Sequence, residues 1–521
     1  LPDTVYASQA GLVVLTVVVF SSRVRVGCCR MEFTELADYA IPAGTITEWI
    51  PSVGPHASTP VLAGWQPDDR PTSYVHEAHL RDSLKSPRQG RESWLGAAFD
   101  IEGPLDKRAF RRAVLAWIDR HESMRSHAAI DVDSGGLSRV TAAEGTVDVW
   151  QVEQERCELS SEVLDHLQYL FDEYTSPLAW PAYAFVTVEP LATRDTGKVT
   201  VFFAADHSII DGLSTVLVAH EISALYAEAV DGTAAALFEA GSYLDFGVSE
   251  RRMHAELEHT HDAVVTWRRF LEAGDGQLPA FPLDIGTAGS GDTPQGGLTD
   301  WILDAERADS FSVACRKTGN SMFAGLLAAL AMAGAELTDR TEFRTITPVH
   351  TRDQPHWVSS LGWFVGLCPL SFDIADAESF GAIVARATQQ VTATKPVARV
   401  PLDRVFRALG ASAKPRFVVS FMDVRFAPMA ERWDDWNARA LRSKQYDHDV
   451  YIWINRTPRG VNISARYPDN AIATAHVHRY IGVLRRILDE VIDTGTASLT
   501  SMVSSGPALD SASFASTPTN Q

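Results

Sequence analysis

The string His207-Ser208-Ile209-Ile210-Asp211-Gly212 carries the residue types and spacing in this chain best suited to chemistry. Moving an acyl group onto a hydroxyl needs a base within hydrogen-bond reach of that hydroxyl, with a pKa near the working pH. Imidazole is the side chain that starts closest to that value. His207 is the candidate base. Asp211 is placed to hold the turn by accepting local N–H or arginine bonds, and Gly212 to let backbone or substrate approach closely. Taken alone, the string is short, and Asp-Gly is also an ordinary turn.

The flanking residues predict how such a turn is positioned. Pro181 to Val188 and Lys198 to Ala205 are rich in β-branched and aromatic residues and read as neighbouring strands. After Gly212 the period changes: Val216, Leu217, His220, Ile222, Leu225 and Tyr226 suit a buried helix. His207 therefore falls in a strand–turn–helix unit, where side chains leave the core and can face a cleft. Upstream, Phe110, Val114, Trp117 and Ile118 trace one face of an amphipathic helix between Leu105 and His121, with Arg111 and Arg112 on its wet side.

The same vocabulary returns in the second half. A helical run from Ala308 to Leu337 precedes a strand at Phe343 to Thr347 and a helix at Glu378 to Val391. Strands follow at Phe417 to Phe421, Val450 to Asn455 and Val461 to Arg466, and a helix from Ala473 to Ile492. The Gly-, Pro- and Ser-rich stretch from Glu272 to Gly297 reads as a crossover between lobes. The expected division is a leader at 1–30, a first lobe at 31–271 carrying the motif, a crossover at 272–299, a second lobe at 300–497 and a disordered tail at 498–521.

Composition excludes several functions. A net charge of −20 opposes the counterion release that drives proteins onto nucleic acid. Gly11 to Phe20 is apolar, but ten residues fall short of the roughly 20 that span a bilayer. The basic residues Arg23, Arg25 and Arg30 follow it rather than precede it, the wrong order for export. Residues 1–30 read as a disordered leader or an upstream translation artefact. Cys28, Cys29, Cys157, Cys315 and Cys368 have no metal-ligand or disulfide-framework spacing, which fits a reducing compartment, and Cys368 reads as a structural thiol. His350, His356 and His448 form no metal constellation, so no metal is expected.

The motif resembles the HHxxxDG element of nonribosomal-peptide condensation domains and the chloramphenicol-acetyltransferase-like superfamily. Phe171 to Pro190 (FDEYTSPLAWPAYAFVTVEP) and Val201 to Ile222 (VFFAADHSIIDGLSTVLVAHEI) look more closely like mycobacterial polyketide-associated acyltransferases, in particular the trehalose-acylating subgroup. Arg120 to Arg125 (RHESMR), Thr347 to Arg352 (TPVHTR) and Ser360 to Leu370 (SLGWFVGLCPL) match further elements in the family's order, and the resemblance covers about Glu48 to Ile492. Two departures stand out. Asp206 replaces the first histidine, and Gly366 stands where condensation domains carry Asn, which fits an ester-forming branch better.

The resemblance implies an α/β fold of two chloramphenicol-acetyltransferase-like lobes, each a mixed sheet with helices, set as a V around a tunnel. It further implies transfer of a long-chain fatty or polyketide acyl group from a thioester to a hydroxyl of trehalose or a trehalose-derived glycolipid precursor. His207 acts as general base without an acyl-enzyme, and Asp211 pairs with Arg352. Trp357, Gly362, Trp363 and Phe364 are the tunnel candidates, although aromatics beside a strand also serve as core. No cofactor is held permanently; acyl-CoA or a phosphopantetheine-linked chain is the donor substrate. A polyketide synthase carrier domain is a further partner, and the chain is expected to be a cytoplasmic monomer with peripheral contact at the inner membrane face. The competing expectations are a stand-alone peptide condensation domain and a non-catalytic scaffold that binds carrier proteins.

Overall fold

The computed structural model describes residues 32–53, 64–85, 93–191, 197–287, 293–317 and 319–497; the expected leader at 1–30 and tail at 498–521 lie outside them. The apolar stripe of the first long helix forms as its spacing predicts. Phe110, Val114, Trp117 and Ile118 are fully buried on the helix Lys107–Arg120. Asp106 caps it, accepting from the backbone N–H of Arg108 and Ala109 at 2.9 Å each. That helix packs beside the helix Gly212–Asp231, which is long and apolar enough to cross a membrane but buries Ser214 to Ala219 and Ile222 within the protein.

Two mixed sheets organise the molecule, the two-lobed α/β architecture that the resemblance implies. The first runs in the order Phe33–Glu35, Arg439–Arg442, Trp94–Glu102, Lys198–Asp206, Tyr183–Pro190, Gly44–Val53, Val147–Cys157. The second runs Gln295–Asp304, Gly460–Pro468, Val450–Thr457, Phe417–Asp423, Glu342–His350, Val365–Asp373. Lys198–Asp206, with seven consecutive fully or nearly fully buried residues from Val199 to Ala205, lies at the centre of the first sheet. A small three-stranded sheet of Trp65–Pro67, Leu137–Ala142 and Ser126–Ile130 flanks it.

The lobe boundaries differ from those expected at 271 and 300. The strand Arg439–Arg442 leaves the second half of the chain and pairs antiparallel with Trp94–Glu102 in the first sheet. Four residues are too few to show an allegiance in sequence; pairing decides it. Conversely, the helix Asp262–Glu272 packs Val264 and Trp267 with Ile346, Val405 and Val418 of the second lobe, because its apolar stripe finds its complement there. Phe281 and Ile285 of the expected crossover enter the second core as well. The run from Ala308 to Leu337 is two helices, Ala305–Lys317 and Met322–Thr338, parted where Gly319 adopts φ +76° and Ser321 caps the second by accepting from Ala324 N–H.

Candidate active site

The strand Lys198–Asp206 ends at Asp206, which still pairs with Trp94 while its carboxylate accepts the backbone N–H of Ser208 at 2.7 Å. Ile209 and Ile210 turn into the core and anchor the reversal. Asp211 then caps the helix Gly212–Asp231, its carboxylate accepting Ser214 N–H and Ser214 Oγ–H at 2.8 Å each. His207 is the one half-buried residue of the turn between buried neighbours, so its ring is what the turn presents.

The imidazole is fixed in one tautomer. Its Nδ1 lies 2.9 Å from the carbonyl oxygen of Ile210. A carbonyl only accepts, so Nδ1 carries the proton and Nε2 keeps its lone pair. The ring stacks on Trp363, centroids 4.0 Å apart at 25°. Burial pushes the His207 pKa below its ordinary value of 6.5, with the ring's backbone hydrogen bond and then Asp206 and Asp211 pulling the other way. The outcome is a neutral imidazole near pH 7, poised to accept a proton rather than already holding two.

Arg352, in the loop after the strand Glu342–His350, donates to both carboxylate oxygens of Asp211, at 2.7 and 2.9 Å. Asp211 also accepts the Phe364 N–H at 3.0 Å, while Arg352 donates to the carbonyls of Trp357 and Ser360. Burial alone raises the Asp211 pKa, but Arg352 and these hydrogen bonds hold it below the usual carboxylate range. The pair is therefore ionic and ties the motif turn of the first lobe to a loop of the second.

Asp206, at the position of the missing histidine, is wholly buried, and its Oδ2 lies 3.0 Å from Nε2 of His79 on the helix Tyr74–Lys85. His79 also meets Trp363 edge-on, centroids 5.6 Å apart. Sequence reasoning missed His79. The signal was Asp206 itself, since a carboxylate ending a buried strand demands a partner.

Of the four tunnel candidates, only Trp363 reaches His207. Phe364 is fully buried beneath the Arg352 guanidinium, 4.3 Å from ring centre to Cζ. Trp357 packs into a cluster with Tyr243, Phe246 and Phe364. Gly362 is needed for packing: a Cβ there would stand 2.4 Å from the Tyr243 ring. These three are core, packed on and beside the Asp211–Arg352 pair. Gly212 is under no such constraint, as an added Cβ would meet Met422 of the second sheet at an ordinary 3.5 Å. Its neighbourhood nonetheless places His207 at the seam between the sheets.

Gly366 is demanded by its backbone surroundings, since a Cβ would fall 1.7 Å from the Ala398 carbonyl oxygen. The Cys368 thiol is buried, donates to the Thr394 carbonyl and is pushed up by burial to about 11, the profile of a structural cysteine. Among the described residues no cluster of three or more His, Cys, Asp or Glu could hold a metal ion.

Comparison with known proteins identifies the family and the fold. The family model described as Condensation domain matches residues 85–508. Acyltransferase PapA3 of Mycobacterium tuberculosis (strain ATCC 25618 / H37Rv) is 28% identical over 469 residues, 87% of this chain and 97% of that protein. Trehalose-2-sulfate acyltransferase PapA2 of the same strain is 28% identical over 482 residues, 90% and 99% of the two chains. The solved structure of PapA2 acyl transferase superposes with a TM-score of 0.79 at 26% identity, covering 89% of this chain and all of the other.

Proposed function

This chain belongs to the condensation-domain family and is an acyltransferase, and on that premise we propose that His207 is the general base for acyl transfer to a sugar hydroxyl. The observation that carries the mechanism is the hydrogen bond from His207 Nδ1 to the Ile210 carbonyl, which leaves the Nε2 lone pair at the lobe seam. The acceptor is trehalose or a trehalose-derived glycolipid precursor, by similarity to the relatives' named substrate. The donor is a long-chain fatty or polyketide acyl thioester, carried on coenzyme A or on a polyketide synthase carrier domain.

In the reaction the acceptor hydroxyl gives its proton to Nε2 while its oxygen attacks the thioester carbonyl. The C–S bond then breaks, and the imidazolium returns the proton to the departing thiolate. No bond forms between enzyme and acyl group. A general base contributes on the order of 10²–10⁴-fold, so holding both substrates in register supplies much of the remainder. Asp211 and Arg352 take no proton; they fix the turn that aims His207. We place the protein in the cytoplasm as a monomer, at the inner membrane face where a lipid product would be delivered.

The test is direct product detection. Purified protein is incubated with palmitoyl-coenzyme A and either trehalose or trehalose 2-sulfate, and the ester is sought by mass spectrometry. An acylated sugar is the expected product; hydrolysis alone, or amide formation on an aminoacyl thioester in its place, would overturn the reading.

A further inference from the structure

We propose that Arg442 and Arg466 form a binding subsite for a sulfate or phosphate monoester carried by one of the two substrates. The observation begins with the strand Arg439–Arg442, the one that crosses into the first sheet. Arg442 pairs with Leu95, which pairs with Ala205, two residues before His207. Residues directly opposite one another share a face, so Arg442 lies on the His207 side of the sheet, roughly 12 Å away by strand spacing.

Its guanidinium leaves the first sheet and enters the second lobe. Cζ stands 4.9 Å over the Trp453 ring, and an added Cβ on Gly297 would meet Nη2 at 3.1 Å. Arg466, on the strand Gly460–Pro468, stacks over Tyr451 at 4.1 Å and faces the same Trp453 at 5.6 Å. Two cations thus share one aromatic platform at the seam.

Their hydrogen bonding is incomplete. The Arg442 side chain is 9% exposed, yet its Nε and Nη1 have no hydrogen-bond partner, and the same holds for Nε of Arg466. The nearest carboxylates, Glu35 to Arg442 and Asp449 to Arg466, each stand off at 3.6 Å, beyond a good hydrogen bond. Burial raises the pKa of both acids, which weakens them as counter-charges, and it pushes Arg442 down to about 10. Buried guanidinium donors without acceptors are costly, and a planar fork of donors matches the oxygens of a tetrahedral oxyanion.

The subsite is also approachable. The Arg466 side chain keeps 18% of its surface exposed, so the donors on that platform are within reach of solvent. Either a sulfate on the acceptor sugar or the terminal phosphate of coenzyme A presents the required chemistry. The proposal rests on the acyl-transfer reading only in naming those two molecules.

Calorimetry on the full chain tests it without turnover. Trehalose 2-sulfate against trehalose, and coenzyme A against 3′-dephospho-coenzyme A, are titrated into wild type, Arg466→Gln and Arg466→Lys. In one pair the wild type is expected to prefer the ester-bearing ligand by at least about 10-fold, the worth of a charged hydrogen bond. Arg466→Gln should abolish that preference and Arg466→Lys retain part of it. Loss in the sugar pair assigns the group to the acceptor, and loss in the coenzyme pair to the donor. No preference in either wild-type pair, or an undiminished preference in Arg466→Gln, overturns the proposal. Failure of the acyl-transfer reading would instead appear in the product assay alone.

Discussion

The guanidinium of Arg352 grips both carboxylate oxygens of Asp211 across 141 residues of chain, and this contact joins the turn that carries His207 to the opposite lobe. Ser214 belongs to the same node, its hydroxyl donating to Asp211 while accepting from Arg352. The direction in which His207 points therefore depends on the two lobes being docked.

Removing one partner of that pair strands the other. Asp211→Ala leaves the Arg352 guanidinium buried without its counter-charge, at a cost of about 3–5 kcal/mol. Urea unfolding of the variant should show that loss in stability together with a fall in turnover. Wild-type stability would mean that Arg352 finds other acceptors, and that the pair does not hold the turn.

Two motif glycines should respond in opposite ways. Gly366→Ala drives a methyl into the Ala398 carbonyl and should lower stability by more than about 2 kcal/mol. Gly212→Ala, at the first position of a helix with ordinary contact distances around its Cβ, should change stability by less than about 0.5 kcal/mol. Thermal melts of both variants check the contrast; equal effects would contradict it.

The strand, turn and helix around His207 were legible because each has its own signal: an apolar run, Asp-Gly, then a change of period. Arg352 was legible only through resemblance, since nothing local says that an arginine after a strand will reach a motif so far away. The aromatic run at Trp357 to Phe364 showed burial without showing which ring faces the site; the backbone decides that, turning Trp363 toward His207 and Phe364 beneath Arg352. The crossing of Arg439–Arg442 into the first sheet left no trace in sequence, and with it the meeting of Arg442 and Arg466 over Trp453 stayed hidden.

Glu250 supplies a pH test of stability. Burial raises its pKa from 4.5 to about 7, while its carboxylate accepts the Tyr74 N–H at 2.7 Å. The folded state thus binds this proton more tightly than the unfolded state does. Its contribution is fully present below pH 4.5 and is lost as pH rises through about 7. Glu250→Gln, which keeps the acceptor and cannot ionise, should melt a few degrees above wild type at pH 8.5, the shift expected for roughly 3 kcal/mol. The difference should shrink steadily as pH falls and vanish below 4.5; a variant less stable than wild type at pH 8.5 would contradict the assignment.

The rate should carry its own pH signature. Because burial lowers the His207 pKa, the basic form persists below the ordinary 6.5. The acid limb of kcat/KM should therefore fall below that value, as this parameter reports the free enzyme. A limb displaced above 6.5 would point to a different base.

The most direct test of the account is kcat/KM for acyl transfer from palmitoyl-coenzyme A to the sugar acceptor, measured side by side for wild type and His207→Ala at pH 7. General-base catalysis from Nε2 predicts a loss on the order of 10²–10⁴-fold with the thermal melt preserved. Turnover by the folded variant at the wild-type rate would contradict it.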